Sequence, residues 1–267
     1  MQSNPVSINS LRTYKAQGEK FSCLTAYDAS FARILDYSGV DVVLIGDSLG
    51  MVVQGHSSTI PVTMDHIIYH TKAVARGCAR AMIMADLPFA SYTLIEDGVR
   101  NAARLMQEGG AHIVKLEGTA NQVDVVKRLA DNGIPVCAHV GLRPQFVHKL
   151  GGYKVQGRDR KVADELIKDA VALERAGADL VLLECVPTQV TAEVMQAVHV
   201  PVIGIGAGAQ CDGQVLVLYD VIGISSGKRA KFAKDFLGTS GSIADAIARY
   251  VSAVKSGAFP AVEHTYT

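Results

Sequence analysis

The sequence predicts an α/β protein built as a single (β/α)8 barrel (TIM barrel), and three observations support this prediction. Short apolar runs alternate with amphipathic segments along all 267 residues. Strand and helix repeated in this way mean parallel strands joined by helical crossovers. The runs are continuously apolar, as in strands buried on both faces, and about eight such units in about 250 residues is the size of a TIM barrel.

Eight segments have the length and apolar character of buried strands. They are Phe21–Thr25, Val42–Gly46, Met82–Ala85, Ile113–Leu116, Pro135–Ala138, Leu180–Leu183, Val202–Ile205 and Leu216–Leu218. No Ser- or Pro-rich linker interrupts the alternation. We therefore expect residues 1–267 to form one barrel domain with an N-terminal extension and a C-terminal helix.

The segments between the predicted strands carry helix start and stop signals. Thr63 precedes an amphipathic stretch over Met64–Arg76, and Thr93 and Glu96 have the spacing of a capping box before a second helix. Asn121 is expected to open a third helix. Glycines follow these helices and a later one as stop signals, at Gly77, Gly109, Gly133 and Gly177.

A doubly wound open sheet is the rival architecture, because Gly204-Ile-Gly-Ala-Gly208 resembles a dinucleotide-binding turn. That segment lacks the third glycine at the required spacing, and no acidic residue follows about 20 positions on to bind a ribose. A glycine-rich turn after a late barrel strand is the better interpretation.

Composition excludes several classes of function. Lysine plus arginine equals aspartate plus glutamate at 26 each, which argues against a nucleic-acid partner. No apolar stretch approaches the roughly 20 residues that span a membrane, and the N-terminus lacks a secretory signal. The five cysteines are scattered, with no CxxC pair, as in a protein of a reducing compartment. We therefore expect a cytoplasmic globular protein without membrane contact.

Four acidic residues end apolar strand segments, where parallel α/β folds carry their chemistry. They are Asp47, Asp86, Glu117 and Glu184, and His139 follows a fifth strand. A single acid in such a place is usually the N-cap of the next helix. Four acids at one barrel mouth would repel one another if ionised and unpaired, so either a cation lies between them or some are protonated. Oxygen ligands without cysteines favour Mg²⁺ over zinc.

Lys115 lies inside an apolar strand, on the same face as Glu117. A buried lysine is costly unless it is paired. Two interpretations stay open at this point: an ion pair with Glu117, or a contact to the carboxylate of a substrate.

A series of longer motifs resembles the ketopantoate hydroxymethyltransferase family, in order along nearly the whole chain. These motifs are Gly46-Asp-Ser-Leu-Gly-Met-Val-Val-Gln-Gly-His56, Asp86-Leu-Pro-Phe89, Lys115-Leu-Glu-Gly118, His139-Val-Gly-Leu142, Gly151-Gly-Tyr-Lys-Val-Gln-Gly-Arg158, Glu184-Cys-Val-Pro187 and Asp212-Gly-Gln-Val215. The resemblance implies transfer of a hydroxymethyl group from 5,10-methylenetetrahydrofolate to 3-methyl-2-oxobutanoate, which gives 2-dehydropantoate in pantothenate biosynthesis. It also implies a homo-oligomer, a decamer built from rings.

The resemblance assigns a role to each matching position. It implies that Asp47 and Asp86 bind Mg²⁺ and touch the keto acid, with Glu117 as a further ligand, directly or through water. Ser48, Lys115 and His139 are implied as substrate contacts, although His139 could instead be bonded within the wall of the site. Glu184 is implied as the catalytic base, whereas Asp28 is expected to cap the helix after the first strand.

Two other functions remain as alternatives. A Mg²⁺-dependent 2-keto acid lyase of the same barrel type would use the same enolate, but the chain has no cysteine beside Lys115 that could serve as its acid. A non-catalytic barrel that binds a keto acid or a metal would not need Glu184.

Overall fold

The structure, a computed structural model, describes residues 4–224, 229–239 and 241–267. Eight parallel strands form a closed barrel in which each strand pairs with its neighbours in sequence and β8 pairs with β1. The strands are β1 Phe21–Thr25, β2 Val42–Ile45, β3 Met82–Asp86, β4 Ile113–Glu117, β5 Val136–Gly141, β6 Leu180–Glu184, β7 Val202–Ile205 and β8 Gly213–Leu216. The predicted (β/α)8 barrel is confirmed.

Helices surround the barrel and connect its strands. They are α1 Ile8–Gln17, α2 Ala29–Tyr37, α3 Leu49–Val52, α4 Met64–Ala75, α5 Ile95–Arg104, α6 Val123–Asp131, α7 Val147–Leu150, α8 Arg160–Arg175, α9 Thr188–Ala197, α10 Leu218–Val221 and α11 Ile243–Lys255. A π turn, Leu105–Gly109, extends α5, and 3₁₀ turns lie at Ala120–Gln122, Pro144–Phe146, Leu237–Thr239 and Val262–His264. Within the described ranges, no helix is long and apolar enough to cross a membrane.

The strands are buried on both faces, as their continuous apolar sequences predict. Every residue of β1, β2, β3 and β4 is buried. One face contacts the helical layer and the other fills the barrel interior. Polar side chains on these strands can therefore reach a ligand at the carboxyl end of the barrel.

The first and last strands are joined by the C-terminal helix. Tyr250 of α11 is fully buried, and its hydroxyl lies 2.9 Å from the carbonyl oxygen of Cys23 in β1 and 2.8 Å from that of Gln214 in β8. On its other side β8 is registered with β7 at only two positions, Ile203 with Gly213 and Gly204 with Gln214. The seam between β7, β8 and β1 thus depends on α11.

The predicted helix caps are confirmed in part. The Thr63 side chain accepts a hydrogen bond from the His66 amide at the start of α4, and Asp28 caps α2 as expected. The predicted capping box at Thr93 is wrong, because Leu94 is the N-cap of α5 and the Thr93 hydroxyl donates to the Ala90 carbonyl. The helix expected to open at Asn121 begins as a 3₁₀ turn and becomes α-helical only at Val123.

Six of the eight predicted strands differ in their bounds from the structure, four of them by one residue at the carboxyl end and two, β5 and β8, by more. β5 extends to Gly141, so His139 lies inside the strand rather than after it. The eighth strand was expected at Leu216–Leu218 but spans Gly213–Leu216. The strand begins with Gly213 and Gln214, which are not apolar, so the search for apolar runs did not detect its start. The glycine is needed, because a Cβ there would lie 2.3 Å from Cε2 of Phe21.

Candidate active site

The carboxyl ends of the strands surround a cavity of about 780 Å³. Every residue that the sequence nominated for chemistry lines it: Asp47, Ser48, Asp86, Lys115, Glu117, His139 and Glu184. They come from β3, β4, β5 and β6 and from the loop after β2. The fold therefore brings together side chains that are up to 137 positions apart, from 47 to 184.

Lys115 is buried and forms its ion pair with Asp86, not with Glu117. The register of β3 and β4 sets Asp86 beside Lys115, and Nζ lies 3.0 Å from Oδ1. Glu117 is registered with His139 of β5, and its Oε1 lies 3.9 Å from Nδ1 of that histidine. Of the two interpretations that the sequence left open, the ion pair with Glu117 is wrong, because the partner of Lys115 is set by the neighbouring strand.

The charges of this buried group are strongly coupled. Burial alone would lower the pKa of Lys115, but the carboxylates of Asp86, Asp47 and Glu117 raise it overall, so the lysine stays charged. Burial raises the pKa of Asp86, and Lys115 opposes that rise. Burial also raises the pKa of Glu117, and the Asp47 charge adds to the effect. A single lysine thus faces more buried acid groups than it can balance.

Asp47 lies beyond the end of β2, on the turn that leads into α3. Its backbone amide donates to Oδ2 of Asp86 at 2.9 Å, which ties the two acids together. A Cβ at Gly46 would lie 2.9 Å from the Ser48 hydroxyl, so a larger residue there would displace that hydroxyl. Burial, followed by the charge of Asp86, raises the pKa of Asp47 to about 7.

Glu184 is the last residue of β6 and faces the cavity, where its side chain keeps 15% of its surface exposed. Burial raises the pKa of Glu184 to about 8, which Lys115 opposes and Asp47 favours. Nε2 of His139 lies 3.4 Å from Oε2 of Glu184, and burial lowers the pKa of His139 well below its usual value. A neutral imidazole therefore stands beside a carboxyl group that can both hold and release a proton near neutral pH.

Ser48 is held by a tyrosine that the sequence did not nominate. Its Oγ lies 2.8 Å from the hydroxyl of Tyr27, which is buried and stacks on Tyr219 with ring centroids 6.0 Å apart. The carbonyl of Tyr27 is in turn bonded to Nδ1 of His70 at 2.6 Å. The hydrogen bond to Tyr27, whose ring is held by Tyr219, therefore orients the Ser48 hydroxyl.

Comparison with known proteins agrees with this arrangement. The sequence model of the family described as "Ketopantoate hydroxymethyltransferase" matches residues 5–262. The chain belongs to the ketopantoate hydroxymethyltransferase family. A 3-methyl-2-oxobutanoate hydroxymethyltransferase of Marinobacter nauticus is 59% identical over 98% of both chains, and that of Alkalilimnicola ehrlichii is 56% identical over 98% of this chain and 95% of its own.

Solved structures support the architecture of this family member. A complex of phosphonopyruvate hydrolase with oxalate and Mg²⁺ superimposes with a TM-score of 0.57 at 14% identity, over 79% of this chain and 80% of its own. Identity at this level supports the barrel fold alone. Membership of the hydroxymethyltransferase family makes the chain a transferase.

Sequence reasoning missed several residues of the site. Gln145 is buried and donates from Nε2 to Oδ2 of Asp47 at 2.8 Å. Tyr153, Phe232 and Tyr266 line the cavity from three separate segments. Gln145 lies in the loop a few residues after β5, at the carboxyl end of the barrel, and that place was an available signal, since a buried polar side chain there must be satisfied. Tyr153 lies in one of the motifs that carry the family resemblance, but nothing local marks Phe232 or Tyr266.

The donor set is compatible with Mg²⁺, although the acids do not form a closed metal cage. In the part of the chain that the structure describes, no group of three or more His, Cys, Asp or Glu side chains lies close enough to hold a metal ion. In the same part, the buried Oδ1 of Asp86 accepts no hydrogen bond, and its partner is the charge of Lys115 at 3.0 Å. Mg²⁺ is usually bound by one or two carboxylates and keeps several waters, so Asp47 and Asp86 fit it without a third protein ligand.

The acid cluster predicts that the metal-free enzyme loses stability as the pH rises. The pKa of Asp47 is raised from 3.8 to about 7, and that of Glu184 from 4.5 to about 8. Between these limits the folded state binds more protons than the unfolded state, so the free energy of unfolding falls with increasing pH. We expect the melting temperature in EDTA to be lower at about pH 8.5 than at about pH 7, where the histidines of the unfolded chain are already neutral.

Glu184→Gln is the control for this pH effect. It removes one of the two titrating groups and keeps the shape, so the fall in melting temperature between the two pH values should be smaller. A melting temperature that rises with pH in the metal-free wild type would contradict the raised pKa values.

Proposed function

We propose that this enzyme transfers a hydroxymethyl group from 5,10-methylenetetrahydrofolate to 3-methyl-2-oxobutanoate and forms 2-dehydropantoate, the first step of pantothenate biosynthesis. The observation that carries the proposal is Glu184, a desolvated carboxyl group with a pKa near 8 that faces the cavity beside the Asp47–Asp86–Lys115 cluster. Relatives at 59% and 56% identity carry the name of this activity. The reaction begins with removal of the C3 proton of the keto acid, and a base with a pKa near the working pH suits that step.

Asp47 and Asp86 hold Mg²⁺ in this proposal, with Glu117 as a further ligand, directly or through water. When bound, Mg²⁺ supplies a Lewis acid that stabilises the negative charge of the enolate. The buried carboxylates of Asp47, Asp86 and Glu117 outnumber the single Lys115 cation, so a second positive charge at the site would relieve their repulsion. Phosphonopyruvate hydrolase, a protein of similar fold, has been solved as a complex with oxalate and Mg²⁺, which supports the choice of Mg²⁺ as the metal.

The keto acid is bound by the residues around the metal position. Lys115 is charged and reaches Asp86, and it neutralises the carboxylate of the substrate as a point cation. The Ser48 hydroxyl, fixed by Tyr27, donates to the same carboxylate. His139 is neutral and lies 3.5 Å from Lys115, so it orients the lysine and the base without adding charge.

Glu184 takes the C3 proton when it is ionised. The neutral His139 on one side and the apolar lining from Leu182 and Ile205 on the other exclude water from the carboxylate, which strengthens it as a base. Water opens the methylene bridge of the folate, both C–N bonds break, and tetrahydrofolate leaves with the carbon released at the oxidation level of formaldehyde. The enolate carbon attacks that carbon, and the proton held by Glu184 returns to the alkoxide to complete the hydroxymethyl group. The aromatic rim of Tyr153, Phe232 and Tyr266 suits a flat heterocycle such as the pterin.

A turnover assay tests the proposed function. With Mg²⁺ and 3-methyl-2-oxobutanoate, we expect 2-dehydropantoate to form only when 5,10-methylenetetrahydrofolate is present. The lyase alternative predicts the opposite dependence, namely cleavage of a substrate such as phosphonopyruvate without any folate. Cleavage without folate, and no product with it, would replace the transferase by a lyase.

We also propose that the protein is a cytoplasmic homo-oligomer, with the decamer of the family resemblance as the expected assembly. The five cysteines are all free, which suits a reducing compartment. Tyr37 and Tyr69 are large side chains that are 90% and 71% exposed, which suits faces covered by other subunits.

A further inference from the structure

Gln145 is a buried polar residue next to the site, and both the NH₂ group and the oxygen of its side-chain amide have hydrogen-bond partners. It lies in the 3₁₀ turn Pro144–Phe146 after β5 and is 2% exposed. It does not line the cavity, so it cannot touch a ligand there. A buried amide persists only where its donors and acceptor have partners. Its partners therefore indicate what it does.

The orientation of the Gln145 amide is fixed by its neighbours. Nε2 donates to Oδ2 of Asp47 at 2.8 Å and to the carbonyl of Leu87 at 3.0 Å, while Oε1 accepts from the hydroxyl of Tyr92 at 2.7 Å. A flipped amide would set its oxygen against a carboxylate and a carbonyl, which are both acceptors only. The NH₂ group must therefore face Asp47.

The backbone of the same residue binds a second acid. The amide N–H of Gln145 donates to Oε2 of Glu117 at 3.1 Å. Asp47 comes from the turn after β2 and Glu117 from the end of β4, so Gln145 joins two acids from separate strands. Asp47 needs such a partner more than the others, because it lies outside its strand and the sheet does not fix its side chain.

We propose that Gln145 is a positioning residue for Mg²⁺: it occupies one oxygen each of Asp47 and Glu117 and so orients both carboxylates towards the cation. The inference rests on the proposed function, since it assumes a cation at this site. The partner behind a ligand typically changes metal affinity 10–100-fold when it is removed. Gln145 acts through Asp47 and Glu117 and does not contact the substrate.

The test compares Gln145→Met with Tyr92→Phe by calorimetric titration of the metal-free protein with Mg²⁺. Gln145→Met keeps the length of the side chain and removes both N–H donors, so the dissociation constant should rise about 10–100-fold. Tyr92→Phe removes the hydroxyl that bonds Oε1 of Gln145 and the backbone carbonyl of Glu117. It leaves the bonds from Gln145 to the carboxylates of Asp47 and Glu117 in place, so affinity should change less than about threefold. Gln145→Met loses three buried hydrogen bonds and Tyr92→Phe loses two, so a fall in melting temperature is expected in both variants and does not distinguish them. Saturating Mg²⁺ should restore most of the kcat of Gln145→Met, although its dissociation constant for Mg²⁺ stays raised.

Equal Mg²⁺ affinity in the two variants would reduce Gln145 to a structural residue and overturn this inference alone. If Gln145→Met does not fold, Gln145→Asn gives the same reading, because it keeps a polar amide but withdraws it from Asp47. Unchanged affinity in Gln145→Asn also overturns the inference. If the wild-type protein binds no Mg²⁺, the proposed function itself is overturned. If the wild type binds Mg²⁺ and the variants bind it equally well, only the role of Gln145 is overturned.

Discussion

Glu184→Gln should slow exchange of the C3 proton of 3-methyl-2-oxobutanoate in D₂O by about 10²–10⁴-fold, the usual contribution of a general base. Proton removal precedes carbon–carbon bond formation, so the exchange needs Mg²⁺ but no folate. The amide keeps the shape of the side chain and cannot accept the proton. Because burial raises the pKa of Glu184 to about 8, the wild-type exchange rate should increase with pH through that value as the base form accumulates.

The measurement is the loss of the C3 proton signal by NMR, with Mg²⁺ and keto-acid affinities determined on the same sample. Both affinities should change little, since Glu184 is proposed to bind neither Mg²⁺ nor the keto acid. Exchange at the wild-type rate in Glu184→Gln would move the base to His139, whose Nε2 lies 3.4 Å away, or to a bound water.

Asp86→Asn should abolish Mg²⁺-dependent turnover and also destabilise the fold. Asp86 has a structural role besides its proposed role at the metal, because it is the ion-pair partner of Lys115 at 3.0 Å, and the side chains of Lys115 and Asp86 are only 6% and 2% exposed. Removal of one partner of a buried pair leaves an uncompensated charge and costs about 3–5 kcal/mol. Denaturant unfolding of the metal-free protein measures this loss.

The double variant Asp86→Asn/Lys115→Met separates the two effects. It removes both charges, so the free energy of unfolding should recover most of the loss, while Mg²⁺ binding should stay absent. A single Asp86→Asn variant as stable as the wild type would mean that Glu117 and Asp47 balance Lys115 by themselves. Recovery of Mg²⁺ binding in the double variant would remove Asp86 from the metal ligands.

The barrel and the place of its acids follow from local patterns in the sequence. Apolar runs that end in Asp86, Glu117 and Glu184 predict buried parallel strands, and parallel strands carry their last residues to the same end of a barrel. The strand alternation also predicted that Lys115 and Glu117 share a face, and both line the cavity. These features depend on neighbours in sequence, which is why they could be derived without a structure.

Partners across strands could not be derived in the same way. Lys115 pairs with Asp86 because β3 and β4 are registered there, and registers between strands depend on the packing of the whole barrel. Gln145 was missed for the same reason, since its contacts come from segments up to 98 residues away. β8 was misplaced because Gly213 is required by the ring of Phe21, a residue of the opposite end of the chain.

The seam held by Tyr250 has a consequence for synthesis on the ribosome. The sheet closes when β8 pairs with β1, which requires residues up to Leu216 to have left the exit tunnel, and the contact from the Tyr250 hydroxyl to Cys23, 227 positions earlier, forms later still. Until then β1 and the most recently made strand are unpaired edges, which are sites of aggregation between nascent chains. We therefore expect that chaperones which shield strand edges determine the yield of this enzyme more than the rate of its early folding steps.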